Sequence, residues 1–279
     1  MGVGGHSPEV LGVLYQGEPG AYSEEAAQQL FPGIPATGRP TFAAAFAGLG
    51  SGRAAVLPVE NSLGGVVQEV SDLLWAHPEV LVSREHFLAV RHQLLAATSA
   101  PVRRALSHPQ ALAQCAGFLA DRGIEPVPHP DTAGAARWVA EHQLPGEAAI
   151  ASAAAAARYR LQVVAEDIAD RPSNRTRFLV CAPGTLQLAP PALPAKLSLG
   201  FVTAHRPGAL AAVLLECSQR GLNLSRLDSR PIPDLPFEYR FYADLELEPG
   251  QDCAPLLAAL GRLTSELRVF GLYARALTT

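Results

Sequence analysis

Residues 182–195, "APGTLQLAPPALPA", place four prolines in fourteen residues and carry no charge. Proline holds φ near −65° and offers no N–H to a helix or a sheet, so regular structure does not run through such a segment and an extended connection does. About 180 residues precede it and 84 follow, and each part has a hydrophobic pattern of its own.

The first part alternates short apolar runs with helical periodicity. "LGVLYQG" (11–17) reads as a buried strand, "GEPG" as a turn, and "SEEAAQQLF" as a helix with Ser23 as N-cap and two acids in its first turn. "RAAVLPV" (53–59) is the next strand and runs through "ENS" into "LGGVVQEVSDLLW", where Leu63, Val66, Val67, Val70, Leu73 and Leu74 recur at helical spacing. The unit repeats, with "ALSH" leading into "PQALAQCAGFLADRG", "EPVPHPD" into "TAGAARWVAEHQ", and "EAAIAS" into "AAAAARYRL". Strand and helix in alternation imply an α/β layer fold.

The second part reads strand "KLSLGFV", helix "PGALAAVLLECSQRG", strand "NLSRLDSRP", strand "FEYRFYADLEL", a last helix at about 254–267, and strand "RVFGLYA". In the third strand Phe237, Tyr239, Phe241, Ala243, Leu245 and Leu247 fall on one side. The order is βαββαβ, that of a small ferredoxin-like domain.

Composition excludes several kinds of chemistry. Net charge is −4 without a run of like charges, against nucleic-acid binding. No apolar stretch is long enough for a membrane span, and the opening lacks a basic region followed by a sustained apolar one, so a cytoplasmic protein is expected. Cys115, Cys181, Cys217 and Cys253 are scattered, and the eight histidines show no ligand spacing, so reduced thiols and no metal are expected. Lys196 is the only lysine, so residues 1–195 host neither Schiff-base chemistry nor a lysine-dependent phosphate loop. "GEPG" lacks the third glycine of a dinucleotide fingerprint.

In open α/β sheets, ligands bind beyond the carboxyl ends of the strands, where helix N-termini present free amides. The polar residues at such junctions are Glu60, Asn61 and Ser62; Ser107, His108 and Gln110; Asp131 and Thr132; and Ser152, with Gln114 one helical turn after Gln110. Asp131 and Ser152 also read as N-caps, and His108 as a turn residue before proline. These groups are mostly neutral hydrogen bonders, suited to a small, oxygen-rich anion. "PSNRTRFLV" (172–180) adds a threonine between two arginines, after a turn and before an apolar strand.

"QGEPGAYSEEAA", "LPVENSLGGVV", "SHPQALAQC" and "SNRTRFLV", in that order, resemble the motif series of the prephenate dehydratases. "PGALAAVLLECSQRGLNLSRLDSRP…FEYRFYADLE" resembles the ACT regulatory domain fused to them, and the likeness spans about residues 11–275. It implies a lead at 1–10 and a two-lobed catalytic domain at 11–182, like that of periplasmic binding proteins, with the second lobe at about 85–160. It further implies a linker at 183–195 and an ACT domain at 196–279, in the monofunctional form without a chorismate mutase segment.

The activity implied is decarboxylating dehydration of prephenate to phenylpyruvate, without a cofactor, in phenylalanine biosynthesis. Arogenate dehydration and a non-catalytic amino-acid sensor are the alternatives. Thr176 matches the threonine of the family's TRF motif and would donate to the departing hydroxyl, with Glu60 and Asn61 beside it as catalytic residues. Ser62, Ser107, Gln114, Thr132, Asn174, Arg177 and Phe178 would bind substrate. Phenylalanine would bind between ACT domains of two subunits of a homodimer or homotetramer, at Gly208, Ala209, Leu210, Asn223, Leu224, Asp228 and Ser229, where "DSRP" replaces the family's ESRP.

Overall fold

The computed structural model describes residues 10–233 and 235–276. The chain begins with β1 (Gly12–Gln16), α1 (Tyr22–Leu30), β2 (Ala36–Arg39), α2 (Phe42–Ala47), β3 (Arg53–Asn61), β4 (Gly65–Val66), α3 (Gln68–Ala76) and β5 (Val80–Ala89). It continues with β6 (Gln93–Ala96), β7 (Arg104–Ser107), α4 (Pro109–Gln114), α5 (Ala116–Asp121), β8 (Glu125–Pro128), α6 (Thr132–His142), β9 (Glu147–Ala151), α7 (Ala153–Tyr159) and β10 (Gln162–Ala165). β11 (Arg175–Pro183) leads to β12 (Ala195–Thr203), α8 (Ala209–Gln219), β13 (Asn223–Pro231), β14 (Tyr239–Leu247), α9 (Ala254–Leu263) and β15 (Thr264–Ala274).

Three sheets organise these elements. The first has the order β2-β1-β3-β11-β5, with β4 paired to β3, and the second β10-β6-β9-β7-β8. The two sheets are the cores of the two lobes expected for a periplasmic-binding-protein-like domain. In the second, β7 runs parallel to β8 and β9, whereas β6 is antiparallel to β9. All five residues of β9 are buried because both faces are covered: Ala148 and Ile150 join one apolar cluster, Ala149 and Ala151 another. The third sheet, β13-β14-β12-β15, is antiparallel and carries the ferredoxin-like order. Leu197, Leu199 and Phe201 of β12 pack with Val213, Leu256 and Leu260 of α8 and α9 into its core.

The contacts separate two compact units, one with the described residues up to Val67 and His86–Phe178, the other with Gln68–Glu85 and the chain from Leu179 onward. Helix α3 and the start of β5 thus pack with the C-terminal sheet, although a boundary at the proline-rich segment would leave them in the first part. Within this second unit Tyr242 donates to Asp72 Oδ1 at 3.2 Å, Arg230 pairs with Asp72, and Arg240 lies 4.0 Å over the Trp75 ring. Gly200 is required here: a Cβ would stand 2.8 Å from both the Trp75 and Phe270 rings. The sole lysine is buried against Glu85, Nζ to Oε2 3.0 Å.

Four local expectations are revised. Helix α1 begins at Tyr22 with Ala21 as its uncapped N-cap, and Ser23 is buried inside the first turn; Glu24 instead accepts the Gly20 amide at 2.6 Å. The helix expected from residue 63 starts at Gln68, because two adjacent glycines, Gly65 at φ +80°, let the chain turn back on β3 first. The helix from Pro109 breaks at Cys115 into α4 and α5. Phe237 lies before β14, at φ +66° and exposed. Asp131 and Ser152 do cap α6 and α7, accepting from Gly134 N at 2.5 Å and Ala155 N at 3.0 Å.

Candidate active site

The segment after β3 builds the site. Asn61 Oδ1 accepts the amides of Leu63 at 3.0 Å and Gly64 at 2.7 Å, an Asx turn that fixes which end of its side-chain amide is oxygen. Ser62 fastens this turn to the start of β11: its amide donates to Arg175 O at 2.9 Å and its Oγ accepts the Arg175 amide at 3.0 Å. The turn passes against α4 at Gly64, where a Cβ would fall 1.8 Å from Gln110 Nε2.

With its oxygen held by backbone, Asn61 must present Nδ2 to β11. It donates to Thr176 Oγ1 at 2.9 Å and to Asn174 Oδ1 at 2.8 Å. Asn174 then has only Nδ2 to offer Gln114, and donates to its Oε1 at 2.9 Å. The same oxygen faces His92 Nε2 at 2.8 Å, so that nitrogen carries hydrogen. Burial pushes the His92 pKa below its ordinary value, outweighing the opposing effect of the Gln114 bond, so the ring is neutral and its Nδ1 is an acceptor 2.9 Å from the Tyr22 hydroxyl, whose one hydrogen is shared with Arg91 O, also at 2.9 Å. Burial also holds the Tyr22 phenol protonated, well above its usual range. Donation thus converges on Gln114 Oε1, from the two backbone amides through Asn61 and Asn174 on one side and from His92 on the other. At Thr176 the consequence is chemical: its oxygen already accepts from Asn61, which leaves the hydroxyl hydrogen for a ligand.

These groups border a cavity of about 260 Å³ within the first unit. Of the residues expected from sequence, Asn61, Gln114, Thr132, Asn174 and Thr176 line it, as do the junction residues His108, Gln110 and Asp131. Glu60 is half-buried and does not line it. Ser62 serves the turn just described, and Ser107 is fully buried with its hydroxyl donated to Ile150 O at 2.6 Å, tying β7 to β9. Arg177 and Phe178 are buried in β11 and are not among the lining residues; strand alternation turns Arg177 to the face opposite Thr176. Tyr22 and His92 line the cavity and were not expected. All four cysteines are free and buried, and burial pushes the Cys115 and Cys181 thiols up to about 12, so neither is a thiolate at neutral pH.

A second cavity, of about 240 Å³, lies in the C-terminal sheet domain. Gly208, Ala209 and Leu210 at the start of α8 line it, opposite Glu238, Tyr239 and Phe241. Asn223, Leu224, Asp228 and Ser229 lie on β13 and do not. Asn223 donates to Glu246 Oε2 at 3.0 Å, and Asp228 accepts from Arg226 Nε at 2.5 Å.

Residues 13–184 match the family model described as prephenate dehydratase. The arogenate dehydratase/prephenate dehydratase 2 of Arabidopsis thaliana, a chloroplastic protein, is 40% identical over 94% of this chain and 72% of its own length. The bifunctional N-acyl-homoserine lactone acylase/prephenate dehydratase of Komagataeibacter europaeus is 35% identical over 94% of this chain and 95% of its own. Among solved structures, the prephenate dehydratase of Arthrobacter aurescens in complex with L-Phe superposes with a TM-score of 0.84 at 30% identity, covering 95% of this chain and 90% of that one. A family model spanning most of both lobes, and relatives matched along nearly the whole chain, make this protein a member of the prephenate dehydratase family, with a two-lobed catalytic domain and a C-terminal ACT domain.

Proposed function

We propose that the 260 Å³ cavity is the dehydratase site and that Thr176 is the group that assists the leaving hydroxyl. In prephenate the bond from the ring to its carboxylate breaks to release carbon dioxide. Its electron pair enters the ring, and the bond to the ring hydroxyl breaks to expel hydroxide, which takes up a proton to become water. Aromatisation drives the reaction, so the residues need only hold the dianion and stabilise the charge growing on the departing oxygen. The observation that carries this reading is the Asn61 Nδ2 to Thr176 Oγ1 bond of 2.9 Å, which reserves the threonine hydrogen for that oxygen. The amides of Gln110, Gln114 and Asn174 and the Thr132 hydroxyl supply neutral contacts for the remaining oxygens.

The test is a pair of substitutions. Thr176→Ser keeps the hydroxyl and should retain most activity. Thr176→Val keeps the shape and should lower kcat by about 10²–10³, the usual cost of removing one such donor. Equal losses in both, with both folded, would assign the threonine to packing.

The α8 cavity fits L-phenylalanine as effector. Helix N-terminal amides face the carboxylate, Glu238 the ammonium, and Phe241 and Tyr239 the ring. Two-fold assembly of this chain would give such a site two quaternary states to bias. Four free buried thiols suit a reducing compartment such as the cytoplasm.

A further inference from the structure

A cavity of about 400 Å³ in the first unit shares no lining residue with the active-site cavity. It lies toward the amino ends of β1 and β3: Arg53 opens β3 and lines it, whereas Asn61, at the other end of that strand, lines the active site. Parallel register sets Gly12 beside Arg53, Leu14 beside Thr37 and Gln16 beside Arg39, all on one face of the sheet. Gly12 leaves a gap in that face, since a Cβ there would meet no atom beyond its chain neighbours within 4 Å. Leu14 and Pro35 give the gap apolar walls, and Leu11, 67% exposed, stands at its rim.

The charge on this wall is one-sided. Among the described residues that line it, Arg39 and Arg53 are the only charged ones, and no carboxylate stands with them. Neither arginine pairs with a carboxylate elsewhere among the described residues, and Arg39 Nε is buried without a hydrogen-bond acceptor. An unpartnered guanidinium N–H is a cost that an anion in the cavity would offset. Thr37 and Ser51 bring hydroxyls as neutral donors. The two arginines hold register positions four residues apart, roughly 13 Å along the strands, and converge on the gap over Gly12 from its two ends. We propose that this cavity is a second binding site, for a small organic dianion: one acidic group meets the Arg39 guanidinium, the other meets Arg53, and a hydrocarbon middle lies against Leu14 and Pro35. The site stands whether or not the other cavity carries out dehydration.

Calorimetric titration of the full chain with adipate tests the site, with hexanoate, of equal chain length and one carboxylate, as control. Arg39→Gln and Arg53→Gln should each weaken adipate binding about 10- to 100-fold, the worth of one charge-assisted hydrogen bond. Hexanoate should bind the wild type about as weakly as adipate binds either variant. Gly12→Val keeps both arginines and fills the gap between them; valine suits a strand, so the chain stays folded and adipate binding should again fall about tenfold or more. Gly12→Ala repeats the measurement if valine lowers the thermal midpoint. Adipate held in the active-site cavity would not respond to any of these substitutions, so affinities within twofold of wild type overturn the site. Hexanoate binding as tightly as adipate overturns it too, because the second arginine would then have no anion to hold. The absence of adipate binding to the wild type at millimolar concentration does the same.

Discussion

Replacing Asn61 by aspartate changes a single NH₂ to oxygen at nearly constant shape, yet it should invert the hydrogen-bond chain. The turn survives, because a carboxylate oxygen accepts the Leu63 and Gly64 amides as the amide oxygen does. The other oxygen then faces Thr176 Oγ1 and Asn174, 2.9 and 2.8 Å from where Nδ2 stood. Thr176 must turn its hydrogen toward that oxygen and away from the cavity. Asn174 must present its NH₂ to the new acceptor and its oxygen to Gln114, whose NH₂ then faces His92. Neutral His92 answers by moving its hydrogen to Nδ1, which donates to Tyr22, and the Tyr22 hydroxyl then donates to Arg91 O alone, to which it is already bonded at 2.9 Å. Every group keeps a partner, so the chain remains folded. The cost is a new charge in a half-buried position, about 1–3 kcal/mol of stability.

The loss in turnover is larger. Without the threonine hydrogen, the departing hydroxide loses one preorganised donor, and kcat should drop by about 10²–10³. The added charge also repels an anionic substrate and raises KM, so kcat must be read at saturating substrate. Product formation measures the first effect. Nitrogen NMR of labelled histidine measures the second, His92 being assigned by its loss in His92→Gln. The ring should convert from Nε2–H to Nδ1–H in Asn61→Asp. A kcat within threefold of wild type would refute the assignment of the threonine hydrogen to the leaving group. A lowered kcat with His92 unchanged would refute the coupling through Asn174 and Gln114.

Two further outcomes are expected. Burial lowers the His92 pKa in the folded chain, whereas in the unfolded chain it titrates near its usual ~6.5. Between those two values the unfolded state binds more protons, so this group's stabilisation is fully present above ~6.5 and is lost as pH falls toward the depressed folded value. Denaturation midpoints measured from pH 7.5 down to 5 should show that slope, and His92→Gln, which keeps a donor for Gln114, should flatten it; an unchanged slope would show that His92 is not the group responsible. In the ACT domain, Glu238→Gln should weaken the rise in thermal midpoint caused by phenylalanine at least tenfold in concentration, while Asp228→Asn, outside the α8 cavity, should not. The reverse pattern would move the effector site to β13.

The fold was legible because its signals are local. Strand "EAAIA" and the Asp131 and Ser152 caps announce themselves within a few residues. The βαββαβ order of the C-terminal part follows from periodicity alone. Junction residues could be named for the same reason, but not sorted, because a position at a strand end does not say which face its side chain takes. Ser107 shows this: it stands at a junction and spends its hydroxyl on Ile150 inside the sheet. Glu60, beside Asn61, misses the cavity.

Tyr22 and His92 lay beyond local reading altogether. Tyr22 opens a helix and His92 sits between β5 and β6 with no motif around it, and what gives them a role is partnership across 70 residues with each other and across 22 with Gln114. The Asn61 bonds to Asn174 and Thr176 span 113 and 115 residues. Sequence resemblance can place a threonine in a motif, but whether that threonine donates or accepts depends on which end of a distant amide faces it. That is decided by two backbone N–H groups in a turn after β3, and a turn of this kind forms only because Gly64 and Gly65 let the chain fold back before α3 begins. The same glycines that defeated the expectation of a longer helix therefore set the polarity of the site.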